Sequence, residues 1–129
     1  MKPGTAKRKG AQTEAQACQW LRDVGYPWAE ERRLKGNQDK GDVAGVPRIC
    51  IEVKSAAEWK PVQWLRECTV ETINADADIG FVMARPKGGT DVNNWAIIMT
   101  PATLLQLLTE AGRGPGPTRL IDMEELRNG

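Results

Sequence analysis

Between Arg48 and Lys54 the chain reads Arg-Ile-Cys-Ile-Glu-Val-Lys, an alternation that sets Ile49, Ile51 and Val53 against Cys50, Glu52 and Lys54. Successive side chains of an extended strand point to opposite faces, whereas a helix would scatter the same residues around its circumference. The segment is therefore expected to be a strand, with one apolar face for a core and one face carrying a carboxylate and an ammonium. The rest of the 129 residues has to be arranged around it. A chain of that length supports one core and one active site.

The flanking sequence supplies the partners. Thr13-Glu14-Ala15-Gln16 fits a capping box, and Ala17, Cys18, Leu21 and Val24 recur at helical spacing up to Gly25, which predicts a helix over 14–24. Residues 1–11 combine four basic side chains with Gly and Pro and have no periodicity, which predicts a mobile basic arm ahead of a single domain over 12–129. A strand over 28–34, a turn-rich loop over 35–41 and a strand over 42–46 follow. Pro61 opens a helix traced by Val62, Leu65, Thr69, Thr72 and Ile73 to near Asn74. Strands are expected at 79–84 and 95–99, joined by a hairpin-like loop. Thr100 as N-cap and Pro101 at N1 then start a helix through Leu104, Leu105 and Leu108. The tail 120–127 reads as a short strand and a helical turn. The order α-β-β-β-α-β-β-α predicts an α/β (α+β) domain, a central mixed sheet flanked by helices.

Composition narrows the chemistry. The chain has no His, which excludes the Ser-His-Asp triad, His-metal fingers and every other imidazole mechanism. Cys18, Cys50 and Cys68 form no C-x-x-C pair, so neither a four-cysteine zinc site nor a disulfide framework is expected, and a reducing cytoplasm is the simplest location. With no histidine partner, Cys50 reads as a packed thiol. The N-terminus shows no apolar signal-peptide region, and the longest apolar run, 79–84, is far too short to cross a bilayer, so no membrane association is expected. Charge is uneven: residues 1–66 hold 13 Lys and Arg against 8 Asp and Glu, while 67–129 hold 5 against 9. The basic half is suited to an anionic polymer. Trp20 and Trp28 are expected to be core or sheet-covering residues, Trp59 and Trp64 to stand exposed as interface anchors, and Lys87-Gly88-Gly89-Thr90 to form a turn.

Asp42 stands at a strand start, ten residues before Glu52, which shares one face of the alternating strand with Lys54. If the two strands pair, Asp42 comes beside Glu52 or Lys54, and two carboxylates hold a hard divalent cation, with Mg²⁺ the expected ion. Lys54 would orient the attacking water or the scissile phosphate.

Gly41-Asp42 followed by Ile51-Glu52-Val53-Lys54 resembles the signature of the PD-(D/E)xK nuclease superfamily, with Gly41 in place of the usual Pro. Lys9-Gly10, Glu14, Lys40-Gly41-Asp42-Val43-Ala44-Gly45 and Ile51-Glu52-Val53-Lys54-Ser55 are similar in order and spacing to archaeal-type Holliday junction resolvases, over residues 7–65. The resemblance implies a restriction-endonuclease-like fold and a Mg²⁺-dependent endonuclease, with Mn²⁺ as a substitute. It implies a homodimer acting on four-way DNA junctions and leaving 5′-phosphates. Metal residues would be Glu14, Asp42, Glu52 and the Val53 backbone carbonyl; Lys54 would support the nucleophile, and Gln63 matches a Gln found in several members. Lys7, Arg8, Lys9, Arg32, Arg33, Lys35 and Lys40 would contact DNA. Two other readings stand beside it: a flap, repair or restriction-type nuclease of the same fold, and a catalytically silent DNA-binding module.

Overall fold

The computed structural model describes residues 3–32, 39–55, 57–89 and 91–115, with side chains described from residue 9 onward. The chain divides into two compact units, residues 1–99 and 100–129. The first holds α1 (Pro3–Val24), β1 (Glu30–Glu31), β2 (Val43–Ala44), β3 (Ile49–Ser55), α2 (Pro61–Asn74), β4 (Ile79–Arg85), a 3₁₀ turn (Val92–Asn94) and β5 (Ala96–Ile98). The second holds α3 (Pro101–Glu110), with the Thr100 hydroxyl accepting from the Thr103 amide and Pro101 in the first turn. The architecture is mixed α and β, in the element order that the sequence predicts. No helix among the described residues is long and apolar enough to cross a membrane.

The main sheet runs β3-β4-β5. β3 and β4 are parallel, from Ile49 opposite Ile79 to Ser55 opposite Arg85. A parallel pair needs a long return path, which α2 supplies. β4 and β5 are antiparallel, Val82 opposite Ile98 and Ala84 opposite Ala96. β1 and β2 form a separate two-stranded antiparallel ribbon, with Glu31 opposite Val43. That ribbon meets the free edge of β3 where the Asp42 amide donates to the Ile51 carbonyl at 2.9 Å.

Helices cover both faces of the sheet. Ala17, Cys18 and Leu21 of α1 pack with Ile51, Val53, Met83, Val43 and Trp95 on one side. Trp64 and Cys68 of α2 pack with Val82 and Ala84 on the other. The alternation along β3 therefore feeds two buried layers: the Ile51 and Val53 face meets α1, and the Cys50 and Glu52 face meets α2.

Several expectations are corrected. α1 begins at Pro3, ten residues before the expected cap, so residues 3–11 belong to a helix and not to a mobile arm. Pro3 suits a first turn, and the segment is rich in helix-favouring Ala, Lys and Arg; Gly4 lies in the first turn, and Gly10 further in costs only about 1 kcal/mol. Thr13 consequently lies inside the helix, where its hydroxyl donates to the Lys9 carbonyl at 2.7 Å. Gly25 does terminate α1: at φ 128° it lets its own amide reach the Arg22 carbonyl and the Tyr26 amide reach Leu21. Of the strand expected over 28–34, the described residues 28–32 are strand only at Glu30–Glu31, residues 33 and 34 lie outside the described residues, and Trp28 is 78% exposed. α2 spans the expected range but buries Trp64, Cys68 and Glu71, leaving Val62 and Ile73 in solvent. Trp64 is thus core and no exposed anchor, while Trp59 stands partly exposed against its ring. The tail 120–127 lies outside the described residues.

Ile51 is 1% exposed at the centre of the α1-facing core. Ile51→Ala is expected to lower unfolding free energy by about 2–5 kcal/mol, from lost burial plus the cavity left behind. Ile97→Ala, at a half-exposed position of β5, is expected to stay within about 0.5 kcal/mol. Urea unfolding of both variants checks the contrast.

Candidate metal centre

Asp42 is fixed from three directions. Its amide donates to the Ile51 carbonyl at 2.9 Å, its carbonyl accepts from the Arg32 amide at 2.8 Å, and its carboxylate Oδ2 accepts from the Val53 amide at 2.7 Å. The last contact places the carboxylate on the free edge of β3. In a strand the N–H and C=O of one residue point to the same side, so the Val53 carbonyl is directed to that edge too. Gly41 makes the approach possible. It has φ 93°, and a Cβ there would lie 2.9 Å from the Cys50 Sγ and 3.1 Å from the Ile51 carbonyl oxygen. Only glycine fits a left-handed turn pressed so closely on β3.

Glu52 projects from β3 toward α2 and is 5% exposed. Burial comes first among the causes that push its pKa up to about 12, followed by close contact with the Asp42 and Glu71 carboxyls and by their negative charge. Glu71, also 5% exposed, comes from α2. Its pKa is raised, chiefly by burial and by the charges of Asp39 and Asp42, against a lowering contact with Glu52. Asp39 completes the group from the loop before β2, its Oδ1 accepting from the Gly41 amide at 3.0 Å and its carbonyl from Asn74 Nδ2 at 2.9 Å. One carboxylate oxygen each from Asp39, Glu52 and Glu71 lies within 4.8 Å of the others.

Lys54 is the cationic member. Burial acts to lower its pKa, but the hydrogen bond to Glu67 and the fields of Glu52, Glu67 and Asp42 carry it above the ordinary lysine value. Its Nζ donates to Glu67 Oε2 at 3.1 Å, and Gln63 Nε2 donates to Glu67 Oε1 at 3.2 Å. Lys54 therefore stays an ammonium and serves as a fixed positive charge and hydrogen-bond donor.

Among the described residues Glu14 is not a member of the Asp39, Glu52 and Glu71 group. Its pKa is raised to about 6 by partial burial, then by the charges of Asp42 and Glu31. It is thus near Asp42, yet among the described residues Glu14, Asp42 and Glu52 are not gathered within 4.8 Å of one another. The reason is the alternation of β3: α1 packs on the Ile51 and Val53 face, while Glu52 projects from the opposite one. Asp39, Glu67 and Glu71 are site residues that the sequence reading missed. Glu71 had a signal, since it follows Trp64 and Cys68 at helical spacing and so puts a carboxylate on an otherwise apolar stripe. Asp39, in a turn-rich loop, had none.

Of the basic residues expected to meet DNA, Lys9, Arg32 and Lys40 are exposed. Arg32 also donates to the Val43 carbonyl at 3.3 Å. Lys7 and Arg8 lie in α1 with side chains outside the described set, and Arg33 and Lys35 lie outside the described residues. Cys50 is buried as expected, its Sγ donating to the Lys40 carbonyl at 3.5 Å.

The donors gathered at this centre are all oxygens and mostly carboxylate, a set that suits a hard divalent cation such as Mg²⁺ or Mn²⁺. Two buried carboxylates in contact also need either a proton or a cation between them. Comparison with protein-family models, curated proteins and solved structures yields no match.

A carboxyl whose folded pKa lies above its unfolded value binds its proton more tightly in the folded state throughout the interval between the two. For Glu52 that interval opens near its ordinary value of 4.5 and extends to about 12. Metal-free protein is therefore expected to lose stability as pH rises from 5 to 8, by at most about 1.4 kcal/mol per pH unit from this group. Glu52→Gln is expected to flatten the decline, and Mg²⁺ to raise the melting temperature more at pH 8 than at pH 5. Thermal melts across pH, with Mg²⁺ or EDTA, read both effects; a melting temperature that climbs with pH in EDTA contradicts the assignment.

Proposed function

We propose that this protein is a Mg²⁺-dependent endodeoxyribonuclease with a restriction-endonuclease-like fold, acting on branched DNA, with the four-way junction as its substrate and a homodimer as its working form. The observation that carries this reading is the Asp42 carboxylate held on the Val53 amide at the edge of β3, in contact with Glu52 and beside a Lys54 ammonium fixed by Glu67. Two carboxylates to hold a cation and a lysine to stabilise charge can support phosphodiester hydrolysis without histidine, a residue this chain does not contain.

Asp42, Glu52 and the Val53 carbonyl would hold the cation, which supplies charge neutralisation at the phosphate and lowers the pKa of bound water. Asp42 is oriented by the backbone of β3, so its carboxylate needs little reorganisation. Lys54 donates hydrogen bonds to the attacking water or to a non-bridging phosphate oxygen. Because Glu67 and the nearby carboxylates keep it protonated, it stabilises negative charge and does not act as a general base. Gln63 acts through Glu67, whose other oxygen it engages. Water adds to phosphorus, the 3′ oxygen leaves with a proton, and the products are a 5′-phosphate and a 3′-hydroxyl. The exposed Lys9, Arg32 and Lys40 supply positive charge for the phosphate backbone.

The test is cleavage of a four-way junction, a flap and a linear duplex of matched sequence, with Mg²⁺, Mn²⁺ or EDTA. Paired nicks confined to the junction are expected, lost in EDTA and restored in part by Mn²⁺. Asp42→Asn and Glu52→Ala are each expected to reduce cleavage about a thousand-fold or more, and Lys54→Met about a hundred-fold, with DNA binding retained. Cutting of flap or duplex alone keeps the nuclease and discards the resolvase. Binding without cleavage under every metal condition favours the silent DNA-binding module.

A further inference from the structure

Glu71 has no part in the hydrolytic scheme above, yet it is 5% exposed and its Oε2 is fully buried with no hydrogen-bond partner. An acidic oxygen left unpaired inside a protein costs free energy unless something positive meets it. Among the described residues no ammonium or guanidinium does so: the ion pairs are Lys54 with Glu67 and Arg48 with Asp78. What Glu71 does meet is more carboxylate, since oxygens of Asp39, Glu52 and Glu71 converge within 4.8 Å.

The convergence is built by three separate elements. Asp39 is tied down twice, by the Gly41 amide on its carboxylate and by Asn74 Nδ2 on its carbonyl. Asn74 is the last residue of α2, so the helix that delivers Glu71 also holds the loop that delivers Asp39. Glu52 enters from β3. Asp39 is exposed and the other two are buried. Asp42 touches the Glu52 carboxyl but is not one of the three converging groups, and its Oδ2 is committed to the Val53 amide at the strand edge.

We propose that Asp39, Glu52 and Glu71 form a second divalent-cation position, on the α2 side of Glu52 and separate from the position at Asp42. Three carboxylate oxygens suit the preference of Mg²⁺ and Mn²⁺ for oxygen ligands. Glu52 would bridge the two positions, and an ion here would join the Asp39 loop, β3 and α2 while satisfying the orphaned Glu71 oxygen. The inference rests on the nuclease reading only for the neighbouring ion at Asp42; the triad stands on its own geometry.

The experiment is Mn²⁺ binding to the full chain without DNA, read by calorimetry and by the loss of the free Mn²⁺ electron paramagnetic resonance signal. Wild type is expected to bind two ions. Asp39→Asn and Glu71→Gln are each expected to weaken one binding event by at least about 10-fold, and Asp42→Asn to leave that event in place. Asp39→Asn alters an exposed loop residue, so its effect stands even if Glu71→Gln perturbs the fold. Unchanged isotherms in Asp39→Asn and in a folded Glu71→Gln would overturn the proposal, as would loss of all binding in Asp42→Asn alone. A protein with the expected Mn²⁺ pattern that cuts no DNA would overturn the nuclease reading and keep this site.

Discussion

β3 is covered on both faces, and a strand of period two must then furnish two different interiors from alternate residues. Ile51 and Val53 go to the α1 layer, where they meet Ala17, Cys18 and Leu21. Cys50 and Glu52 go to the α2 layer, which also contains Trp64 and Cys68. A one-residue slip of β3 against β4 would exchange the two sets, placing isoleucines among the carboxylates and Glu52 in the apolar layer. The seven-residue parallel register with β4 therefore fixes the location of the acidic centre as firmly as it fixes the core.

Burial gives Glu52 its chemical character. A carboxylate in solvent would be one more surface charge; at 5% exposure and against two other carboxyls it holds its proton far above the usual range. The same environment keeps Lys54 charged, because the carboxylates that disfavour ionisation of Glu52 favour ionisation of the ammonium beside them. Two groups two residues apart on one strand thus have their pKa values raised together, which leaves the Glu52 carboxyl neutral and the Lys54 ammonium charged, an arrangement that a bound cation would rebalance.

Much of this was legible in the sequence because it is local. The alternation of residues 48–54, the Pro61 start of α2, the Gly25 end of α1 and the Thr100 cap of α3 each depend on a few adjacent residues, and each appears where expected. The misreadings concern choices between competing local signals. At Thr13 a capping box competed with a continuing helix, and favourable propensity over residues 5–12 won. On α2 the row through Val62 and Ile73 competed with the row through Trp64 and Cys68; the second won because Trp64 buries the larger surface and Gly80 of β4 lets Cys68 and Thr72 approach the sheet closely.

The sequence by itself determined which side chains share a face of β3, that two carboxylates and a lysine are available near one strand edge, and that no imidazole takes part. Tertiary structure decided which carboxylates actually meet. Glu14 is excluded from the group around Glu52 because its helix lies on the other side of the sheet, while Asp39 and Glu71 are included because α2 and the loop fastened to its last residue close over the Glu52 face. Strand periodicity is a property of neighbours along the chain and can be read from them. Convergence of residues 39, 52 and 71 depends on how a helix and a loop pack across a sheet, which no local pattern encodes.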